Sequence, residues 1–256
     1  MTSRFVVVYE APADLQTATE LADRVILETI YWIDDWTLQY YRTWVDSMEP
    51  YGPFTWTSMK AVAKKLGIRI HGHFDNEPAS HDAQAGRRAI AAVLKLGLEP
   101  IAAILLIRDS DDDGARRGGL EQAREDARTR YSPPVPTLIG LAITKRECWA
   151  LAGFIPNGEP EENLVGVERQ NLGFDPCLSS HELTAANWID KRSAKRVLAL
   201  LTGGDHDRER RCWRETGLET LRDRGRHNGL ADYIQEVEQR LVPLISGHDP
   251  HGSSRI

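Results

Sequence analysis

Asp109, Asp111 and Asp113 place three carboxylates at alternate positions just before Gly114. Acidic groups this close repel one another unless a cation offsets them, and oxygen donors suit a hard divalent ion, Mg²⁺ or Mn²⁺. Such an ion can polarise a phosphoryl oxygen and lower the pKa of a bound water. The plainer alternative is a solvated Asp-rich turn that caps the following helix.

The run in front of the acids decides where they sit. Six of the seven residues from Ala102 to Arg108 are apolar and show no helical period, so they read as a central parallel strand covered on both faces. Ligands of open α/β sheets gather at the carboxyl ends of such strands. Glu10 closes an earlier β-branched run, Arg4 to Tyr9, and a parallel sheet would bring its carboxylate out at the same edge as Asp109.

The surrounding pattern alternates strand and helix. A helical stripe runs from Ala13 to Trp32, and a tract rich in Trp and Tyr, about residues 33–67, reads as an aromatic insertion that packs a subdomain or forms an interface. Ile68 to Phe74 is the expected second strand, Ala79 to Leu96 a helix, Ile101 to Arg108 the third strand, Arg116 to Arg130 a helix and Thr137 to Thr144 the fourth strand. This order predicts an α/β fold, a Rossmannoid parallel sheet of about four strands with flanking helices. After a loop near 156–163, helical patterns at about 182–201, 207–224 and 229–245 predict a helical C-terminal region with a flexible tail after Gly247. The expected division is residues 1–150 for the α/β part and 151–256 for the helical part.

Other motifs are weaker. The acidic run matches the first half of a calcium-binding EF-hand loop, but its twelfth position is Leu120 where a bidentate glutamate is needed. His71 and His73 share one face of the expected second strand, with Asp75 beyond, yet no third histidine is placed to complete a zinc site. There is no GxxxxGK[ST] phosphate loop, no GxGxxG after a strand and no GxSxG nucleophile elbow. The three cysteines, Cys148, Cys177 and Cys212, lack CxxC spacing and read as reduced structural thiols.

With 256 residues, 41% of them hydrophobic, the chain can bury a proper core. No stretch approaches the roughly 18 apolar residues of a membrane span, and no signal-peptide pattern opens the chain, so the cytoplasm is expected. The net charge of −6 argues against a general affinity for nucleic acid. The stretch from Lys191 to Arg226 is nevertheless basic, and Arg208, Arg210 and Arg211 within it are candidate phosphate contacts, with a salt-bridged helical face as the alternative.

Glu10-Ala11-Pro12-Ala13-Asp14 is similar to the Glu-Gly-x-x-Asp turn, and Asp109-Ser110-Asp111 to the Asp-x-Asp, of the Toprim domain family of topoisomerases, primases and overcoming-lysogenization-defect nucleases. The resemblance covers about residues 4 to 150 outside the aromatic insertion, with Ala11 where that family usually has glycine. It implies that Glu10 serves as metal ligand or general acid/base and that Asp109 and Asp111 bind Mg²⁺, with Asp113 auxiliary. It implies too that a basic residue after the fourth strand, Lys145 or alternatively Arg146, stabilises the transition state. The implied activity is a Mg²⁺-dependent nuclease acting on DNA or RNA. Stand-alone domains similar to this one work with a separate ATPase in bacterial defence against phage. A non-catalytic Toprim-like scaffold binding another subunit is the main alternative. A haloacid-dehalogenase-like phosphatase is the second, because that family also places Asp-x-Asp after a strand.

Overall fold

The computed structural model describes residues 2–70, 72–74, 77–98 and 100–247. His71, Asp75 and the expected tail after Gly247 lie outside the described residues. In chain order the strands are β1 (Ser3–Val8), β2 (Arg42–Val45), β3 (Ser47–Met48), β4 (Gly52–Pro53), β5 (His73–Phe74), β6 (Glu77–Pro78), β7 (Ile101–Asp109) and β8 (Thr137–Ala142). Helices α1 (Pro12–Thr29), α2 (Leu38–Tyr41), α3 (Trp56–Lys65), α4 (His81–Lys95) and α5 (Arg116–Arg130) lie between them. After β8 come α6 (Arg146–Ala152), α7 (Glu159–Leu172), α8 (Ala194–Thr202), α9 (His206–Arg214), α10 (Leu218–Arg224), α11 (Leu230–Arg240) and α12 (Val242–Ser246). The fold is α/β, a four-stranded parallel sheet of order β2-β1-β7-β8 with flanking helices and further helices toward the C-terminus. No described helix is long and apolar enough to cross a membrane.

The chain divides into two compact units. One comprises Met1–Arg108, Gly114–Gly140 and Gln235–Ile256, and the other Asp109–Asp113 and Leu141–Ile234. In the first, Phe5, Val6, Val7 and Val8 of β1 and Ala103 to Leu106 of β7 are fully buried, as the unbroken apolar runs demand of strands covered on both faces. Their register pairs Val6 with Ile104 and Val8 with Leu106. Helix α1 lays Ala18, Leu21, Ala22, Val25 and Ile26 into the core, spacings of three and four that form one face. Helices α3 and α4 begin at side-chain caps: Thr55 accepts from Ser58 N–H at 3.1 Å and Ser80 from Ala83 N–H at 3.1 Å.

The second parallel strand is a correction. It is not Ile68 to Phe74 but β2, inside the aromatic insertion, where Arg4 pairs with Thr43 and Phe5 with Trp44. The physical reason is that β2 is a short edge strand, so it carries no continuous apolar run. Arg42 forms a two-pronged ion pair with Asp23 of α1, and Trp44 donates its indole N–H to the same carboxylate at 3.0 Å. Among the described residues of the expected strand, only His73–Phe74 pairs as a strand, in a small antiparallel hairpin with β6. The insertion's aromatics divide: Phe54 is fully buried, whereas Trp36 and Tyr40 stand exposed.

In the second unit, α6 is buried along its whole length. Helix α7 begins inside the stretch expected to be a loop, because Gly158 at the N-cap, Pro160 in the first turn and Glu159, Glu161 and Glu162 beside it together form a helix start. The expected helix at 182–201 is shorter, beginning only after Ser193, whose hydroxyl caps α8. Asn187 and Asp190 hold the preceding turns by accepting the backbone N–H groups of Ile189 and Arg192.

Candidate functional site

In the first unit, Glu10 follows β1 by two residues. The backbone beside it is held from two directions: Tyr9 N–H donates to Phe54 O at 3.2 Å, and Trp56 N–H to Tyr9 O at 3.1 Å. Ala11 is extended (φ −136°, ψ 159°), so this turn does not need a glycine's freedom. Its N–H is accepted by Asp14 at 2.7 Å, which ties down the start of α1.

The Glu10 carboxylate faces a cation. Arg108 Nε donates to Glu10 Oε1 at 3.2 Å, and Arg108 Nη1 lies 2.5 Å from Asp82 Oδ1 in the first turn of α4. That second contact is ionic, since Nη1 is off the line a hydrogen bond requires. Arg116, at the start of α5, approaches the other oxygen of Asp82 at 3.5 Å. The guanidinium of Arg108 also rests over the Trp56 ring, 4.9 Å from its centre, while the indole N–H is fixed to Ile107 O at 2.8 Å. Two carboxylates and two guanidiniums thus alternate, and the insertion supplies the aromatic surface beneath them.

In the second unit, the acidic loop continues from the end of β7. Ser110 N–H donates to Ala142 O at 2.8 Å, Asp111 N–H to Thr144 O at 3.1 Å and Asp113 N–H to Ser110 O at 2.8 Å. Asp111 and Asp112 take left-handed conformations (φ 47° and 61°), which aspartate tolerates better than most residues. The loop is therefore bound to the chain after β8, and that chain supplies its cations. Lys145 Nζ lies 3.5 Å from Asp111 Oδ1. Asp109 Oδ1 accepts the backbone N–H of Arg146 at 2.8 Å, setting a carboxylate at the positive end of α6. Arg146 reaches Glu209 Oε1 at 2.6 Å and Glu147 Oε1 at 3.6 Å. Ser110 is buried, and its hydroxyl finds no hydrogen-bond partner among the described residues.

The expected site residues are thus distributed as follows. Lys145 meets Asp111, Asp109 meets Arg146, and Glu10 meets Arg108. Among the described residues, no three His, Cys, Asp or Glu side chains gather as a metal-holding group. Mg²⁺ does not require three, because it commonly keeps several waters and takes one or two carboxylates plus substrate phosphate. Asp111, with nearly half of its side chain exposed, and Asp109 beside the unpartnered Ser110 hydroxyl fit an ion of that kind.

The basic candidates are uneven. Arg208 is buried, forms a two-pronged pair with Glu161 at 2.8 and 2.6 Å, donates to Ile155 O at 2.7 Å and lies 4.2 Å from the centre of the Phe154 ring. Its charge holds α9 to α7. Arg210 lies 3.9 Å from Asp207, and Arg211 is half-buried.

Arg108, Asp82 and Arg116 were not among the sequence candidates. One signal was legible, the lone charge of Arg108 inside an apolar strand; Asp82 and Arg116 lie in helix first turns, which conceal their convergence. No family model matches the chain, nor does any curated protein or solved structure.

Proposed function

We propose that the protein is a Mg²⁺-dependent phosphodiesterase acting on DNA or RNA, with Asp109 and Asp111 as the metal-holding carboxylates and Asp113 as an auxiliary. The observation that carries this reading is the pairing of an acidic loop at a parallel strand's carboxyl end with a lysine, Lys145 against Asp111, directly after the neighbouring strand. When bound, the ion would polarise the phosphoryl group and acidify a water. Lys145, free to leave Asp111 for a phosphate oxygen, would offset charge developing in the transition state. Arg210 and Arg211 would contact flanking phosphates, while Arg208 supports the surface from beneath.

The test is an incubation with linear, circular and single-stranded DNA and RNA, in Mg²⁺, Mn²⁺ or EDTA. Asp111→Asn is the informative variant, since this exposed loop residue can be changed to another that tolerates a left-handed backbone. Metal-dependent cleavage lost in Asp111→Asn, and lowered about a hundredfold in Lys145→Met, is the expected result. A second reading, a scaffold without catalysis, is favoured by one specific pair of contacts: Asp109 caps α6 and Glu10 is tied to Arg108. Absence of cleavage in every combination would select it. A partner subunit, including a separate ATPase in a phage-defence complex, is compatible with either reading.

A further inference from the structure

At the amino end of β7, opposite the end that carries Arg108, the first unit contains a cavity of about 760 Å³. Its apolar wall is built by Ala91 and Leu94 from the last turns of α4, Ile101 from the first position of β7, and Ile70 and Val135 from the segments beside them. Tyr131, just past α5, adds a half-buried aromatic ring, and Pro133 a second flat surface. The volume lies in the range of small-molecule sites, roughly 300 to 1,000 Å³.

The charge around this cavity has one sign. Arg69, Arg87, Lys95 and Arg130 line it, and no acidic residue does among the described residues. Arg87 and Arg130 both pair with Asp126 behind the wall, two guanidiniums on one carboxylate. Lys95 donates only to a carbonyl, Leu66 O at 2.8 Å, and exposed Arg69 makes no ion pair or side-chain hydrogen bond among the described residues. Arg69 and Lys95 therefore bring two charges to the cavity with no carboxylate paired to them among the described residues, on a chain whose net charge is −6. A cavity this cationic in an acidic protein selects anions, and guanidiniums suit the oxygens of phosphate.

The geometry points to a binding site for a mononucleotide: phosphates on Arg69, Lys95 and Arg130, and the base against Tyr131 and the apolar wall. An extended anion such as pyrophosphate would leave that wall wet, and a nucleoside would leave the cations without a partner. The site shares no residue with the acidic loop and is independent of the proposed hydrolysis.

The experiment is isothermal titration of the full chain with ADP in EDTA, which removes any divalent ion from the acidic loop. Saturable one-to-one binding is expected, with adenosine and pyrophosphate each at least about tenfold weaker. Arg69→Ala should weaken ADP about tenfold, and Ala91→Trp, which fills the cavity, should abolish binding. Because Arg69 is exposed, its variant keeps the fold, and circular dichroism checks both. Failure of ADP and of the guanosine, cytidine and uridine diphosphates to bind at millimolar concentration would overturn the assignment. So would binding indifferent to both substitutions, or pyrophosphate bound as tightly as ADP.

Discussion

Arg208 shows how a residue in a basic run can be structural. Its guanidinium hydrogen-bonds to Glu161 and holds that carboxyl below the usual range, so the pair's contribution to stability has a definite pH window. It is fully present above the unfolded glutamate pKa of about 4.3 and is lost as the pH falls through the lower folded value. Replacing Arg208 with alanine leaves Glu161 without its cation and uncovers Phe154. Urea denaturation at pH 7 should show a loss of about 3 kcal/mol, against less than about 0.5 for Arg210→Ala. The Arg208 variant should also lose stability less steeply on acidification; an unchanged acid limb would refute the assignment. The cysteines behave oppositely. Burial pushes the Cys148 thiol up to about 11 and those of Cys177 and Cys212 to about 12. At pH 8 fewer than about one in a thousand is thiolate, so a disulfide reagent should label none rapidly in the folded protein and all three in urea. Because the unfolded thiols ionise near 8.5, stability should decline as pH rises from there toward the folded values.

At the scale of elements, two glycines predict opposite outcomes for the same substitution. Gly86 lies in α4 where α5 passes so close that an added Cβ would be 2.8 Å from Ala123 Cβ. Alanine improves helix propensity by about 1 kcal/mol, but forcing two packed helices apart costs about 1 to 3, so Gly86→Ala should be neutral to destabilising. Gly166 in α7 has open space around it, and Gly166→Ala should stabilise by about 0.5 to 1 kcal/mol. Thermal denaturation of both variants checks the sign; stabilisation by more than 0.5 kcal/mol at Gly86 would mean that α4 and α5 pack more loosely than described. The same distinction between one-faced and two-faced burial explains what the sequence made legible. β1 and β7 are covered on both faces, and their apolar runs announce them; α5 is bounded by turn residues and proline, and its expected limits match Arg116–Arg130. β2 was hidden because Arg42 and Trp44 serve Asp23, a partner 19 and 21 residues earlier that no local pattern reveals. Arg108 escaped for the same reason, since its partners Glu10, Asp82 and Trp56 arrive from three separate segments. What remained legible of the candidate site was the acidic loop, whose chemistry is written in consecutive residues.

For the whole molecule, the order of the chain differs from the grouping of its residues. The unit containing the sheet also includes Gln235 onward, where Glu236 meets Arg124 of α5 at 2.6 Å and Arg240 at 2.8 Å. The other unit takes its acidic loop from residues 109–113 and the remainder from 141 onward. Within it, the Trp149 ring stacks on Tyr233 at 5.1 Å, and its indole N–H donates to Asn228 O at 2.8 Å. Fully buried Asn228 donates in turn to Cys148 O at 2.8 Å and Ser180 Oγ at 2.9 Å, and its own carbonyl accepts from Ile143 N–H at 2.8 Å. A chain ending at residue 150 would therefore expose Cys148 and Trp149 and leave the 143–149 backbone without these partners. Exposing one large buried side chain costs about 1.5 to 3 kcal/mol, and each orphaned buried polar group about 1 to 3, against a total stability of about 5 to 15. Residues 1–150 alone should thus show no cooperative urea transition, whereas the full chain should unfold cooperatively. A cooperative transition in the shorter fragment would mean that the sheet holds together without the helices that follow it, and that Asn228 contributes to the loop after β8 without deciding whether it folds.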